Sequence, residues 1–479
     1  MKYPFLGKCV ARFVSGGSVL VFLLALLIFI PEPAHAIPAF ARKYGLPCSA
    51  CHISWPELNN FGQVFRDNGY QMMNDRDSPI TRDASYFPMT IRITPQWHRE
   101  SANNQEIDPT LDKAGTGTSG GALTTAGFDL SGLDMWFAGT LYKNISFSVL
   151  PSSDSFSNFH FENAYVRFDN LLHTSWLNFK VGKYELDLPV SEKRLLTLSG
   201  DGGFYYIYHF EPAGDMNPFG GIGDNQIGVE LMGHSANSYT RYAFSVVSSN
   251  DGGVGLLYGV PPSPGETGNP AGRTYDYYGH FEQGFNTFGS GFMKVGAYAY
   301  FGWAPTFFLT SGGTPIYGRG NEPFYRAGAE WKWYFNKFLF KSVYLHGYDN
   351  AHLANAIPSP NSLADSGAQA AKWNGGFIEG QYIISPQWVI IGRYEMIRVS
   401  QEANTSTPDN VGNLDAFTIA SRWNPFMFSR AGLALQQEYS WVRSKGITNQ
   451  GGAFGAIPAC APTCYVSSSS LMFGVDFDF

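Results

Sequence analysis

A chain of 479 residues with only 15% charged and as much as 16% aromatic residues departs from ordinary soluble domains, which carry about 25% charge. Its formal net charge of −7 argues against a nucleic-acid partner. With 54 Gly, 27 Tyr and 39 Phe, and no stretch after residue 36 near the ~18 unbroken apolar residues of a membrane helix, the composition excludes a helical membrane protein and suits a transmembrane β-barrel.

Residues 1–36 read as a secretory signal, with Lys2, Lys8 and Arg12 at the basic end, an apolar stretch at 19–30, and Ala34-His35-Ala36 as the cleavage site. A retained anchor is the competing reading, but the apolar stretch is shorter than the roughly 20 residues of a span. Cleavage removes Cys9 and leaves Cys48, Cys51, Cys460 and Cys464 in an oxidising compartment. Cys460-Ala-Pro-Thr-Cys464 is expected to close a small disulfide. A metal site there is the weaker reading, since no His or acidic residue lies close by in sequence.

Next comes Cys48-Ser49-Ala50-Cys51-His52, a C-x-x-C-H. Two thiols at this spacing can add to the two vinyl groups of one porphyrin, and the adjacent imidazole then lies over the iron as its proximal ligand. A structural zinc site would need a second pair of ligands nearby, and thiol–disulfide exchange would need a thioredoxin-like βαβ context. Neither is present, so the motif predicts one covalent haem c held by Cys48, Cys51 and His52.

After the motif, Leu58, Phe61 and Phe65 fall at i, i+3 and i+7 within 56–70, the spacing of a short amphipathic helix that Asn68-Gly69 would stop. Its apolar face would cover the porphyrin or pack on a barrel wall. Met72 or Met73 is the favoured second axial ligand of the iron. His98, His160, His209 and an open or water-bound position are the alternatives. A segment as small as 37–88 cannot cover a haem alone, so it is expected to dock in the barrel mouth as a plug.

From residue 89 the pattern changes to period two. In 325–333, Tyr, Ala, Ala, Trp and Trp alternate with Arg, Gly, Glu and Lys, which is apolar toward lipid and charged toward a lumen. A soluble β-sandwich alternates too, so the loops carry more weight. Candidate strands are 89–99, 128–142, 145–151, 159–169, 177–186, 226–234, 240–249, 275–281, 292–301, 324–335, 338–348, 373–384, 388–399, 414–423, 430–443 and 466–479. That is about sixteen, with tight connections such as Lys143-Asn144 and Asn336-Lys337 alternating with long ones such as 100–127, 187–225, 250–274 and 349–372. The end of the chain, Leu471-Met-Phe473-Gly-Val475-Asp-Phe477-Asp-Phe479, is similar to the terminal-strand signal of proteins inserted by the bacterial outer-membrane assembly machinery.

The fold class expected is therefore all-β: an antiparallel outer-membrane barrel over 89–479 with a small N-terminal α-helical haem c plug over 37–88. An even strand number places the plug on the periplasmic side. The long loop 187–225 follows the fifth strand, where sixteen-stranded porins often fold a loop into the lumen. Glu192, Asp201, His209, Glu211, Asp215 and Asp224 within it could concentrate a divalent cation, or could be the ordinary charges of a solvated loop.

Phe40-Ala41-Arg42-Lys43-Tyr44-Gly45, the C-x-x-C-H, Pro56-Glu-Leu58-Asn59-x-Phe61-Gly62, then Phe65 and Asn68-Gly69-Tyr70 together resemble the N-terminal signature of the fused outer-membrane cytochrome–porins, some of which are iron(II) oxidases. The resemblance covers about 35 residues closely. It implies a monohaem barrel that takes electrons from an extracellular donor, iron(II), and passes them to a soluble periplasmic c-type cytochrome. Competing expectations are a solute-conducting porin with a redox-sensing or structural haem plug, and outward electron flow to an extracellular acceptor.

Overall fold

In the computed structural model, residues 40, 43–54, 56–72, 88–107, 118–153, 159–192, 195–215, 217, 219–223, 225–248, 275–287, 289, 291–309, 315–354, 367–427, 432–446 and 464–478 are described. The chain opens with a short helix α1 (Cys48–Cys51), a small hairpin of β1 (His52–Ser54) and β2 (Glu57–Leu58), and helix α2 (Asn60–Asp67). Then come β3 (Met89–Ile107), β4 (Thr118–Tyr142), β5 (Ile145–Ser153), β6 (Phe159–Phe168), β7 (Asn178–Tyr184) and β8 (Gln226–His234). They continue as β9 (Thr240–Val247), β10 (Asp276–Asn286), β11 (Phe292–Leu309), β12 (Pro315–Phe335) and β13 (Phe338–Asp349). The last five are β14 (Ala371–Ser385), β15 (Trp388–Gln401), β16 (Leu414–Met427), β17 (Gly432–Lys445) and β18 (Tyr465–Asp478).

Among the described residues β3 to β18 make one closed barrel of sixteen strands, each antiparallel to the next, with β18 pairing back onto β3. Every candidate strand read from the sequence falls on one of them. Several run further than expected at the long-loop end, above all β3, β4 and β12, so much of 100–127 extends a hairpin instead of forming a loop. Beyond the bilayer both faces of a strand meet water, and the apolar/polar alternation that marks a strand in sequence is lost there. At the other end the turns are tight. Lys143 and Asn336 adopt left-handed φ angles of 43° and 53°, as two-residue hairpin turns require.

Alternation sets the two faces of the wall. On β15, Trp388, Ile390, Tyr394 and Met396 are exposed outward, while Val389, Ile391, Arg393, Glu395 and Ile397 are buried inward. Aromatic side chains gather in two outer bands. Near the tight turns Trp333 stacks with Phe340 (6.0 Å between centroids) and Phe338 packs on Tyr382 (5.0 Å). Near the long loops Tyr325 stacks on Tyr348 (5.0 Å) and Tyr277 meets Trp303 (6.0 Å). From Tyr325 to Trp333 the strand climbs roughly 26 Å at ~3.3 Å per residue, which, allowing for tilt, matches the ~25 Å apolar belt of an outer-membrane barrel with its aromatic girdles.

Two segments fill the lumen. The connection after the fifth barrel strand, 185–225, folds inward as expected and carries helix α3 (Tyr206–His209). Tyr205, Tyr206, Ile207, Tyr208, Phe210, Phe219 and Ile222 are buried against an inner wall that is apolar here, including Trp373, Phe377, Tyr300 and Phe324. Tyr205 lies flat on Phe377 at 4.0 Å, and Phe219 wedges between Tyr300 (4.6 Å) and Phe324 (4.9 Å). The second segment is the N-terminal piece, residues 40–72, at the tight-turn end. Cys464 is disulfide-bonded. Cys460, Met73 and Asp224 lie outside the described residues.

Candidate functional site

The C-x-x-C-H turn is held by the residues that follow it. Asn59 caps α2 by accepting from Gly62 N at 2.9 Å, while its Nδ2 donates to Ala50 O at 2.9 Å and Ser49 O at 3.3 Å. Its own backbone N–H donates to Cys51 O at 2.9 Å. One side chain therefore joins the end of α1 to the start of α2. Gly62 is required by this approach, since a Cβ there would sit 2.2 Å from Cys51 O. Behind α2, Phe40 stacks on Tyr70 (5.3 Å) and meets the edge of Phe65 (5.1 Å), and Tyr44 meets Phe65 at 5.6 Å.

The helix differs from the one read in sequence. It starts at Asn60, not at Pro56, and Leu58 sits in β2 opposite His52. Phe61 is 43% exposed, so the expected apolar face of Leu58, Phe61 and Phe65 keeps Leu58 and Phe65 and loses Phe61. The cap at Asn59 decides this: its ψ of 179° is extended, its side chain accepts from Gly62 N and its own N–H donates to Cys51 O, so the helix cannot run back through it. The stop at Asn68-Gly69 holds, with Gly69 at φ +82°.

His52 is oriented by the same turn. Its Nδ1 lies 3.1 Å from Pro56 O, and because a carbonyl only accepts, Nδ1 carries the proton. The lone pair is then on Nε2, the tautomer that a metal-ligating imidazole needs. Beside it Cys51 has a free thiol, half-buried, with its pKa pushed up by burial. The backbone of Cys48 lies in α1, and its side chain lies outside the described residues.

Cys51 and His52 form part of the wall of a cavity of about 380 Å³ between the N-terminal segment and the barrel. Phe40, Leu58, Phe65, Trp136, Leu150 and Leu195 supply apolar surface, and Arg66, Arg92 and Arg422 line it together with Asp134, Glu162, Glu192 and Asp478. This donor set fits a covalently attached haem in two respects, a thiol and an imidazole side by side and a largely apolar surround. Met72 is not among the lining residues, and neither are His98, His160 and His209. Those three pair instead with Glu100 (3.6 Å), Glu162 (2.9 Å) and Glu192 (2.8 Å).

The acidic residues of 187–225 do not converge. Glu192 holds His209, Asp201 accepts from Ser468 Oγ at 2.9 Å, and Asp215 accepts from Asn217 N at 3.0 Å. No trio of His, Cys, Asp or Glu able to hold a metal ion occurs among the described residues. Of the two readings of this loop, the described residues favour ordinary charges: Glu192 pairs with His209 within the loop, Asp201 with Ser468 of the wall and Asp215 with the loop backbone.

Charged groups fasten the N-terminal segment to the wall. Asp67 accepts from Arg241 at 3.0 Å, and Arg241 also reaches Asp187 at 2.9 Å. Arg167 donates to the carbonyls of Arg66 and Asp67 (3.0 and 2.9 Å), Lys341 meets Glu57 at 2.6 Å, and the hydroxyls of Tyr70 and Tyr165 are 2.8 Å apart. Burial alone would raise the pKa of Asp67, but Arg241, His234 and Arg66 outweigh it and hold the carboxyl down at about 2. Burial likewise opposes ionisation of Asp187, yet Arg241 and His280 keep it well below the usual carboxylate range. Sequence reading missed Arg92, Arg241 and Arg422. The signal for them was their inward phase on alternating strands.

The wall chemistry decides the class. The chain is a closed sixteen-stranded antiparallel β-barrel with an apolar, aromatic-banded outer face and a charged inner one, the two-faced wall of a membrane-spanning barrel. No family model matches the chain, and no curated protein does. Solved structures similar to it include an anion-selective porin from Comamonas acidovorans (11% identity, 82% of this chain and 99% of that one, TM-score 0.49). Others are OmpF of Salmonella typhi in complex with daunomycin (8% identity, 85% and 99%, TM-score 0.45) and the outer-membrane channel DcaP of Acinetobacter baumannii (10%, 81% and 97%, TM-score 0.44). At these values the barrel assignment rests on the chain's own closed strand ladder and two-faced wall.

Proposed function

We propose that this barrel carries one covalent haem c on an N-terminal plug inside its lumen. The observation that carries the reading is the placement of Cys51 and His52 together on the wall of an apolar luminal cavity, with His52 Nδ1 tied to the Pro56 carbonyl. Cys48 and Cys51 would form the thioethers and His52 Nε2 would ligate the iron. Asn59 and Gly62 fix the turn that presents them, and Phe40, Phe65 and Trp136 exclude water. Bound there, the group would supply a one-electron couple, accepting an electron from iron(II) outside the cell and releasing it to a ferric c-type cytochrome in the periplasm.

The fold by itself favours a second reading, a solute porin whose haem plug gates the pore or senses redox state. The buried core of loop 185–225 supports electron transfer over solute flow, because it packs apolar side chains into the lumen and narrows the path for a solute. One pair of measurements on the purified protein separates the two. Reduction of the haem by added Fe²⁺, with low bilayer conductance in both redox states, supports electron transfer. Haem that dithionite reduces and Fe²⁺ does not, with conductance that follows the redox state, supports the porin reading.

A further inference from the structure

The residues that hold the C-x-x-C-H turn also present an exposed face beside it. Asn59 Nδ2 donates to Ser49 O at 3.3 Å and Ala50 O at 2.9 Å, and Gly62 lies against Cys51 O, so the first turn of α2 abuts α1. Pro47 and Ser49 at α1, and Asn60 and Phe61 at the start of α2, are exposed to water. Phe61 precedes Phe65 by one turn and leaves the same side of α2, yet it passes beyond the core and stays 43% exposed. These four residues carry no charge. One aromatic side chain among small uncharged ones is the composition of the centre of a protein interface.

The charges around this face have one sign. The chain as a whole is acidic, at −7. At the tight-turn end, though, the exposed charged side chains among the described residues are Lys143, between β4 and β5, and Lys337, between β12 and β13. Lys43, half-buried with its Nζ 5.0 Å over the Tyr44 ring, adds a cation on the plug itself. The described carboxylates of the plug and of these turns are all engaged: Glu57 by Lys341 (2.6 Å), Asp67 by Arg241 (3.0 Å) and Asp169 by Arg167. A partner drawn to this end is therefore acidic.

We propose that the uncharged face at Phe61 is the docking site of a soluble one-electron carrier with an acidic surface, which takes the electron from the plug there. This rests on the haem reading above and adds the exit point and the charge of the acceptor. Tunnelling falls off steeply with distance, so an acceptor must seat over the segment that carries the group, and Pro47 and Ser49 belong to that turn. One electron passes to a ferric acceptor, with no proton and no bond exchanged. A small uncharged centre suits a contact that forms and parts quickly, while the lysines raise the rate of encounter at low salt.

The test uses the full-length protein from outer membranes in phosphatidylcholine nanodiscs. Soluble ferric cytochrome c is the probe, either in its native lysine-rich form or with its lysines succinylated to carry negative charge. Surface plasmon resonance gives binding, and stopped-flow mixing with dithionite-reduced, desalted protein gives the rate of electron transfer. At low ionic strength the succinylated form should bind more tightly and be reduced about tenfold faster than the native form. The gap should close toward about 0.5 M salt as screening grows. Phe61→Ser should lower binding and rate about tenfold, with covalent haem per chain and midpoint potential unchanged. Lys143→Glu combined with Lys337→Glu should invert the order of the two probes. Equal or faster reduction of the native form, or Phe61→Ser with wild-type binding and rate, would overturn the docking site and leave the haem reading intact. Charge reversal that loosens the barrel from anionic vesicles and leaves the order of the probes unchanged would assign the lysines to lipid contact, and would also overturn it. A wild type without covalent haem would overturn both readings. Should the variants fail to fold, the two probes on the wild type still decide.

Discussion

The plug and loop 185–225 both fill the lumen, yet different forces hold them. The loop is fixed by buried aromatic contacts, with Tyr205 on Phe377 and Phe210 near Trp373 (5.8 Å), and by bonds between its backbone and charged wall residues, such as Ile207 N to Glu395 (2.6 Å) and Arg393 to the Gly202 carbonyl (2.6 Å). The plug is fixed to the wall mainly by charge: Asp67 on Arg241, Glu57 on Lys341, and Arg167 on the carbonyls that end α2, while Arg241 also holds Asp187 at the start of the loop. Apolar burial is indifferent to pH, whereas ion pairs titrate. The loop therefore keeps an apolar core that a change in charge leaves in place, whereas the plug's attachment to the wall rests on groups that a change in charge can alter.

Breaking the upper half should have the largest effect. Trp373 is fully buried between the loop and the guanidinium of Arg326, which lies 4.4 Å over its ring. Trp373→Ala should destabilise loop docking by about 3–5 kcal/mol and raise single-channel conductance in planar bilayers. Unchanged conductance would show that the loop core does not limit the pore. In the lower half, Arg241→Ala removes the cation that pairs with buried Asp67, leaving Asp67 with Gln63 alone and Asp187 with His280 and Arg66, and should cost about 3 kcal/mol of plug docking. Faster proteolysis of the 40–72 segment, with the barrel still heat-modifiable, would register this.

Acid should loosen the plug through Asp67 and leave the aromatic core of the loop in place. The Asp67 carboxyl, near 3.8 when unfolded, sits at about 2 in the docked plug. Its contribution is complete above pH ~4 and is lost as the pH falls toward 2, amounting to roughly 2 kcal/mol for a shift of about two units. Hydrogen exchange in α2 should quicken over that window while exchange in α3 does not. Asn59→Ala, which removes the α2 cap, should have the smallest effect, about 1 kcal/mol, read as faster exchange at Gly62 and Gln63.

Much of this contrast could be read in the sequence, for reasons that differ by region. Strands between lipid and lumen announce themselves, because Arg326, Glu330 and Lys332 alternate with Tyr325, Trp331 and Trp333. Extensions such as 100–107 and 118–127 do not, since water bathes both faces. The C-x-x-C-H is legible as chemistry, but its supports are legible only through resemblance: a capping Asn and a glycine demanded by a 2.2 Å approach look like any loop. Cross-lumen partners such as Arg241 with Asp67, or Arg422 with Asp476, are set by barrel closure, which no local pattern encodes. The carboxylates of 187–225 show the converse, a suggestive cluster in sequence that the fold disperses.

The central claim is that Cys48, Cys51 and His52 attach one haem within this barrel. Intact-mass spectrometry of the processed protein from outer membranes, wild type beside Cys51→Ser, tests it most directly. The account predicts a wild-type mass increased by one haem and a Cys51→Ser barrel that folds but has lost normal attachment and peroxidase staining. A wild-type mass equal to that of the bare polypeptide would contradict it.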